Sequence, residues 1–285
     1  MKILITGAAG MLGADLREAL AGKHELILTD VVGGFLYLDI TDSDRVLDVI
    51  EECRPDLVIH AAAYTDVDGC ERDPERAFRV NALGTRDVAL GCSRGWSRMV
   101  YISTDFVFDG KKGAPYAEDD VPNPINHYGA SKLHGEEHVQ NLCDRYFIVR
   151  TAWLYGEHGK NFPLSILNAA RSRKEMKVVA DQIGSPTFTA DLAVAIRDLI
   201  GTSAYGIYHI TNKGSCSWYD FAKRTLSLAG INDVEVKPIK SREWPSPTQR
   251  PKHSVLRHLA LERLGKDNLR PWEEALADFV SRLDL

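Results

Sequence analysis

Along the first half of the chain, apolar residues gather into short unbroken runs instead of alternating with polar ones. The runs are KILIT, ELILTD, DLVIHAA, RMVYIST and YFIVRTAW. A strand that is apolar on both sides must be covered on both sides, as in a parallel sheet between two helical layers. The segments between them carry apolar positions at helical spacing: MLGADLREALA, DSDRVLDVIEEC, PERAFRVNALGTRDVALGC and SKLHGEEHVQNLC. Thr41 and Asp42 are capping candidates for the second of these. Strand-helix alternation with short connections predicts right-handed βαβ units. The expected fold class is therefore α/β, a doubly wound parallel sheet.

The pattern loosens after about residue 155. NFPLSILNAARSR, TADLAVAIRDLI, WYDFAKRTLSLAG and PWEEALADFVSRL read as helices, and GIYHIT as a strand returning to the sheet. Pro271 suits the first turn of the last helix. SREWPSPTQRPKHS, rich in proline and polar residues, reads as a loop. The expected organisation is a nucleotide-binding domain over 1–155, rejoined by a helix and strand at about 189–212. A smaller C-terminal α/β substrate lobe takes 156–188 and 213–285.

Composition removes several functional classes. The chain has 285 residues, 44% of them hydrophobic, enough for a substantial core. Net charge is −5 with no basic block, which argues against a nucleic-acid partner. No apolar run approaches the ~20 residues that span a bilayer. The first residues, MKILITG, open directly on a strand pattern without a secretory cleavage region. Five scattered cysteines with no CxxC read as reduced thiols, so a cytoplasmic location is expected.

Candidate chemistry begins at ITGAAGMLG, where Gly7, Gly10 and Gly13 join the first strand to the first helix. Glycines there permit a tight turn and a close approach to a pyrophosphate, which the helix N-terminus then attracts. With this turn the expected sheet becomes Rossmann-like. Asp30 ends the second strand 17 residues beyond Gly13, placed to accept hydrogen bonds from an adenosine ribose. Its charge would repel a 2′-phosphate, so NADH is favoured over NADPH, with both plausible.

YGASK places Tyr128 and Lys132 four residues apart, about 40° apart around a helix. A tyrosine titrating near pH ~10 needs help to act at neutrality, and an ammonium beside it would favour the phenolate. Tyr128 would then exchange a proton with a carbonyl oxygen. The order GAAGMLG, Asp30, HAAAYT, YISTD and YGASK resembles the extended short-chain dehydrogenase/reductase superfamily.

Further segments narrow the resemblance: AAAYTDVDGCE, STDFVFDG, PINHYGASKLHGEE, RTAWLYGEHGKNF, DQIGSPTF and SPTQRPKHS. Together they resemble the dTDP-4-dehydrorhamnose reductase family over most of the chain. The resemblance implies reduction of the C4 ketone of dTDP-4-dehydro-L-rhamnose to dTDP-L-rhamnose. It implies catalysis by Tyr128, Lys132 and Thr104. Cofactor contacts would fall on Gly7, Gly10, Met11, Leu12, Gly13, Asp30, Asp39, Ile40, Ala62, Ala63, Tyr64, Thr65 and Ser103, besides Tyr128 and Lys132. Substrate contacts would fall on Thr104, Asp105, Trp153 and Arg250. The partners expected are the dTDP-sugar and a second copy of the chain in a homodimer. No metal site is expected and Mg²⁺ is not required, since no acidic set can be placed for it. The family segment R-P-x-N-S-x-L departs to RPKHSVL, with His253 at the Asn place.

Residue choice at the strand edge separates reactions. Related dehydratases carry a second acid where Phe106 follows Asp105, and epimerising reductases carry a cysteine that is missing between Cys92 and Cys143. With no built-in base for a C–H bond, simple ketone reduction is expected. Two alternatives stay open: a non-catalytic regulatory subunit like that of methionine adenosyltransferase, and a reductase of another nucleotide-activated keto sugar. Trp153 is either a wall against the sugar or an interface tryptophan. HGEEH matches a zinc-protease pattern, but His134 and His138 lie about 200° and 240° from Lys132 around the helix, on its far face. Asn81 sits inside a helix, where it either bends the helix or bonds to the site.

Overall fold

The computed structural model describes residues 1–284. Its strands are β1 (Lys2–Thr6), β2 (Glu25–Asp30), β3 (Leu36–Tyr37), β4 (Leu57–His60), β5 (Arg98–Thr104), β6 (Tyr146–Thr151), β7 (Leu154–Tyr155), β8 (Glu175–Val179), β9 (Ile183–Gly184), β10 (Thr187–Phe188), β11 (Gly206–His209), β12 (Cys216–Ser217) and β13 (Glu235–Ile239). Its α-helices are α1 (Met11–Leu20), α2 (Ser43–Cys53), α3 (Val67–Arg72), α4 (Pro74–Phe78), α5 (Thr85–Arg94), α6 (His127–Leu142), α7 (Phe162–Ala170), α8 (Thr189–Ile200), α9 (Trp218–Leu228), α10 (Leu259–Arg263) and α11 (Trp272–Ser281).

A seven-stranded sheet in the order β11-β6-β5-β4-β1-β2-β3 organises the chain. Every neighbouring pair in it is parallel. The unbroken apolar runs explain why: Ile3 and Ile5 pack toward Leu12, Leu16 and Ile196, while Leu4 packs toward Val46, Val49 and Val88. The sheet is thus the shared wall of two cores. β11, the returning strand, pairs with β6 at one edge, and α8 packs against α1. Asp42 caps α2 by accepting from the Arg45 amide at 3.1 Å.

Outside the sheet, β8 and β13 form a parallel pair and α7 packs on α9. A separate aromatic core, including Tyr155, Phe188, Phe221, Trp272 and Phe279, joins α9 and α11. Pro271 is the residue before α11, at its N-cap, rather than within its first turn. The helix expected over PERAFRVNALGTRDVALGC is interrupted: residues Arg79–Gly84 form a π-helical turn between α4 and α5. No helix among the described residues is long and apolar enough to cross a membrane.

Candidate functional site

A cavity of about 1850 Å³ runs along the carboxyl ends of the sheet strands. Open α/β sheets bind ligands at that edge, because the loops and helix N-termini meet there. The cavity gathers every residue expected from the sequence to contact cofactor or substrate or to take part in catalysis. Gly7, Gly10, Met11, Leu12 and Gly13 line one stretch, with Asp30, Asp39 and Ile40 nearby. Ala62, Ala63, Tyr64 and Thr65 follow, then Ser103, Thr104, Asp105, Tyr128 and Lys132, and finally Trp153 and Arg250.

The glycine turn fits a dinucleotide. Gly7 has φ of +71°, and a Cβ there would lie 2.7 Å from the Ala62 nitrogen. At Gly13 a Cβ would lie 2.2 Å from the Gly7 carbonyl oxygen. The N-cap of α1 is Gly10, which supplies no side-chain acceptor, so the helix presents its first N–H groups to a ligand. Asp30 braces the turn from the next strand. One carboxylate oxygen accepts from the Ala9 amide at 2.9 Å and the other from the Val32 amide at 3.2 Å.

The helix that carries Tyr128 and Lys132, α6, is held close to β5. A Cβ on Gly129 would sit 2.1 Å from the Phe106 carbonyl oxygen, so glycine beside Tyr128 lets α6 approach the strand end. Tyr128 and Thr104 line the same stretch of the cavity, and the Tyr128 ring meets Phe106 edge-on at 5.6 Å between centroids. Burial, the largest influence, holds the phenol above its ordinary range, whereas the neighbouring Thr104 acts the other way. The expectation that Lys132 lowers the phenol is therefore not met in this structure. Lys132 Nζ lies over the Tyr101 ring, 4.2 Å from its centroid, and burial brings its own value down to about 7.

Thr104 Oγ1 donates to Asp105 Oδ1 at 3.1 Å and accepts from the Phe106 amide at 3.2 Å. Asp105 is buried, and desolvation raises its carboxyl to about 7 against the bonds from Ser254 and Thr104. The Ser254 hydroxyl donates to Asp105 Oδ2 at 2.5 Å, carrying a late loop to the strand edge. His253, the departure from the family segment, does not line the cavity. It bridges Ile183 in the backbone, and its Nδ1 is buried without a partner. The neighbouring serine is what reaches the site.

Ser103 offers the cavity no free hydroxyl, because it donates to Glu136 Oε1 at 2.6 Å. Glu136 in turn takes two guanidinium nitrogens of Arg150, at 2.7 Å from Nη2 and 2.9 Å from Nε. All three side chains are buried, tying β5, α6 and β6 together beneath the site. In the HGEEH pattern the glutamate at the H-x-x-E-H place is Glu137, which lies exposed beside His134, whereas Glu136 is spent on Arg150. The buried pair gave no sequence signal, because the arginine becomes a partner only once β6 pairs beside β5.

Asn81 does both things its sequence position allowed. It sits in the π-helical turn, accepts from the Tyr64 amide at 2.8 Å, and donates to the Tyr64 carbonyl and to Ser131. The Tyr64 loop and α6 are thereby cross-linked. Trp153 has both a cavity face and a packing partner. It lines the cavity with φ of +47° and stacks on Trp218, ring centroids 3.5 Å apart and 8° from coplanar. Trp218, also on the cavity wall, had no sequence signal beyond opening a helix. Arg250 donates to Asp68 Oδ1 at 3.0 Å, so its guanidinium is shared between the cavity and α3.

Comparison with known proteins places this geometry. Residues 1–285 match the family described as the RmlD substrate binding domain. A dTDP-4-dehydrorhamnose reductase from Clostridium acetobutylicum ATCC 824 superposes with a TM-score of 0.96, at 45% identity over 100% of both chains. The enzyme of the same name from Bacillus anthracis str. Ames, solved in complex with NADP, gives 0.95 at 44% identity over 99% of both chains. A dTDP-4-keto-6-deoxy-D-glucose reductase from Streptomyces niveus is 41% identical over 96% of this chain and 94% of its own.

Proposed function

The chain belongs to the RmlD substrate binding domain family, and from that premise we propose that it is an NAD(P)H-dependent reductase of dTDP-4-dehydro-L-rhamnose. The observation that carries the reading is the gathering of Tyr128, Thr104 and Lys132 in the same cavity as the uncapped glycine turn. Residues 1–155 with about 189–212 hold the cofactor, and 156–188 with 213–285 close over the sugar nucleotide. Intact Tyr128, Thr104 and Lys132 are what a catalyst requires and a purely regulatory subunit does not. A cytoplasmic location accords with five free cysteines.

The glycine turn and Asp30 would hold the adenosine diphosphate half of the cofactor, and Lys132 and Tyr128 the nicotinamide riboside half. A reduced nicotinamide, when bound, supplies the hydride to the ketone carbon. The chain supplies the rest. Tyr128 is kept protonated by burial and gives the phenolic proton to the alkoxide oxygen as charge develops there. Thr104 polarises the same oxygen, and in the resting arrangement its hydroxyl donates to Asp105 instead. Protonation of Asp105 would free the Thr104 hydroxyl to donate to the substrate. The Trp153–Trp218 stack walls the sugar side.

The Streptomyces niveus relative favours a second reading, reduction of a 4-keto-6-deoxy-D-sugar on the same scaffold. The deciding experiment offers purified protein both enzymatically made dTDP-keto sugars and follows NADH and NADPH oxidation. Faster turnover of the L-sugar is expected. Faster turnover of the D-sugar moves the assignment to the second reading, and no oxidation with either sugar by cofactor-binding protein sinks both. NADH is the cofactor favoured by the charge of Asp30, and NADPH remains usable. Asp30→Asn keeps an acceptor for the Ala9 amide while removing the charge. It should raise kcat/KM for NADPH relative to NADH about 3- to 10-fold; an unchanged ratio removes Asp30 from the preference.

A further inference from the structure

Thr151 ends β6, and its Oγ1 is buried without a hydrogen-bond partner. The residue is 4% exposed yet lines the cavity. A hydroxyl sealed from water and left unpaired destabilises the fold. Valine has nearly the same shape and suits a strand equally well, so a threonine held this way is matched to a partner that enters from outside the chain.

Its position indicates the partner. Thr151 is in register with Thr104 on the adjacent parallel strand, so the two side chains share a face of the sheet. That face continues through Ile102 and Val149 to Leu12 of α1, the helix that begins at the glycine turn. The strand order is also directional. Asp30 lies on β2, the glycine turn follows β1, and β4, β5 and β6 lie beyond it in that order. A dinucleotide with adenosine at β2 and pyrophosphate at β1 extends its other half toward β5 and β6.

We propose that the Thr151 hydroxyl binds the carboxamide of the nicotinamide ring, fixing which face of the ring meets the ketone. The proposal deepens the reductase reading and rests on its nicotinamide cofactor. A carboxamide both donates and accepts, as does a hydroxyl, so one contact satisfies both groups. Thr151 is thus a positioning residue: it orients the hydride donor while Tyr128 and Thr104 act on the oxygen.

The test is equilibrium titration of wild type, Thr151→Val and Thr151→Ser with NADH and with ADP-ribose, which lacks the nicotinamide. Thr151→Val should weaken NADH about 5- to 30-fold and change ADP-ribose less than about 2-fold. Thr151→Ser should recover most of the loss. A 3-acetylpyridine analogue of the cofactor, without the amide N–H donors, should bind wild type and Thr151→Val more nearly alike. Equal weakening of NADH and ADP-ribose would reduce Thr151 to a structural part. Unchanged NADH binding, with or without a raised KM for the sugar nucleotide, would overturn the proposal. Failure of wild type to bind NADH or NADPH would instead sink the reductase reading itself.

Discussion

At neutral pH Tyr128 carries its proton, because burial of the phenol disfavours the phenolate. In a reduction this is the useful state. Tyr128→Phe should cut kcat about 10²- to 10⁴-fold and leave the NADH dissociation constant within about 2-fold. Retention of the wild-type rate would remove Tyr128 as the donor. Asp105 makes a separate prediction about stability. Its folded value, about 7, lies above its ordinary 3.8. A group raised on folding contributes stability that is complete below its unfolded value and lost as pH rises through the folded one. Lys132, lowered from 10.5 to about 7, has the opposite sense: its contribution is complete above 10.5 and lost as pH falls through 7. In urea titrations, wild type should therefore lose stability relative to Asp105→Asn between about pH 4 and 7. Parallel profiles across that window would contradict the shift. The candidate catalytic residues were legible because the proposed chemistry demands particular types at particular spacings. Ser254 was not, since a serine gives no sign of the carboxylate it will meet 149 residues away.

The α4–α5 segment shows where reading by elements ends. Apolar periodicity gives a helix there, but it does not register the extra residue in a π turn, because faces on either side remain nearly aligned. The turn aims Asn81 at the Tyr64 backbone and at Ser131 on α6. Asn81→Ala should cost about 1–3 kcal/mol in unfolding free energy and raise the cofactor KM, as the Tyr64 loop and α6 lose their shared anchor. Cofactor binding at wild-type affinity in that variant would show the anchor to be structural only. The parallel pair β8–β13 escaped notice for a different reason. Each strand has five residues, and β13 contains Pro238, which normally demotes a run to an edge or a non-strand. The long sheet strands carried a strong signal because both of their faces are buried.

Across the whole molecule, one loop connects the two sides of the cavity. Ser246 and Arg250 both hold Asp68 Oδ1, at 3.0 Å each, and Ser254 holds Asp105. Asp68→Ala should release the first attachment, raise KM for the sugar nucleotide about 5- to 20-fold, and leave NADH binding within about 2-fold. Faster proteolysis between residues 241 and 254 would accompany it. Equal weakening of both ligands would mean that the loop supports the whole cavity rather than its sugar side. The sequence identified this segment as a loop from its prolines, and only the fold reveals what it grips.

That grip bears on the order in which the protein is made. The loop's bonds to the nucleotide-binding side join residues separated by 149 to 182 positions. Strands β1, β2 and β4 and the glycine turn are complete on a nascent chain that still lacks this loop. A growing polypeptide can therefore form its cofactor cradle early, while the sugar side closes only after nearly the whole chain has been synthesised. Contacts of such sequence separation are slow to form, so cofactor binding is expected to precede recovery of turnover during refolding.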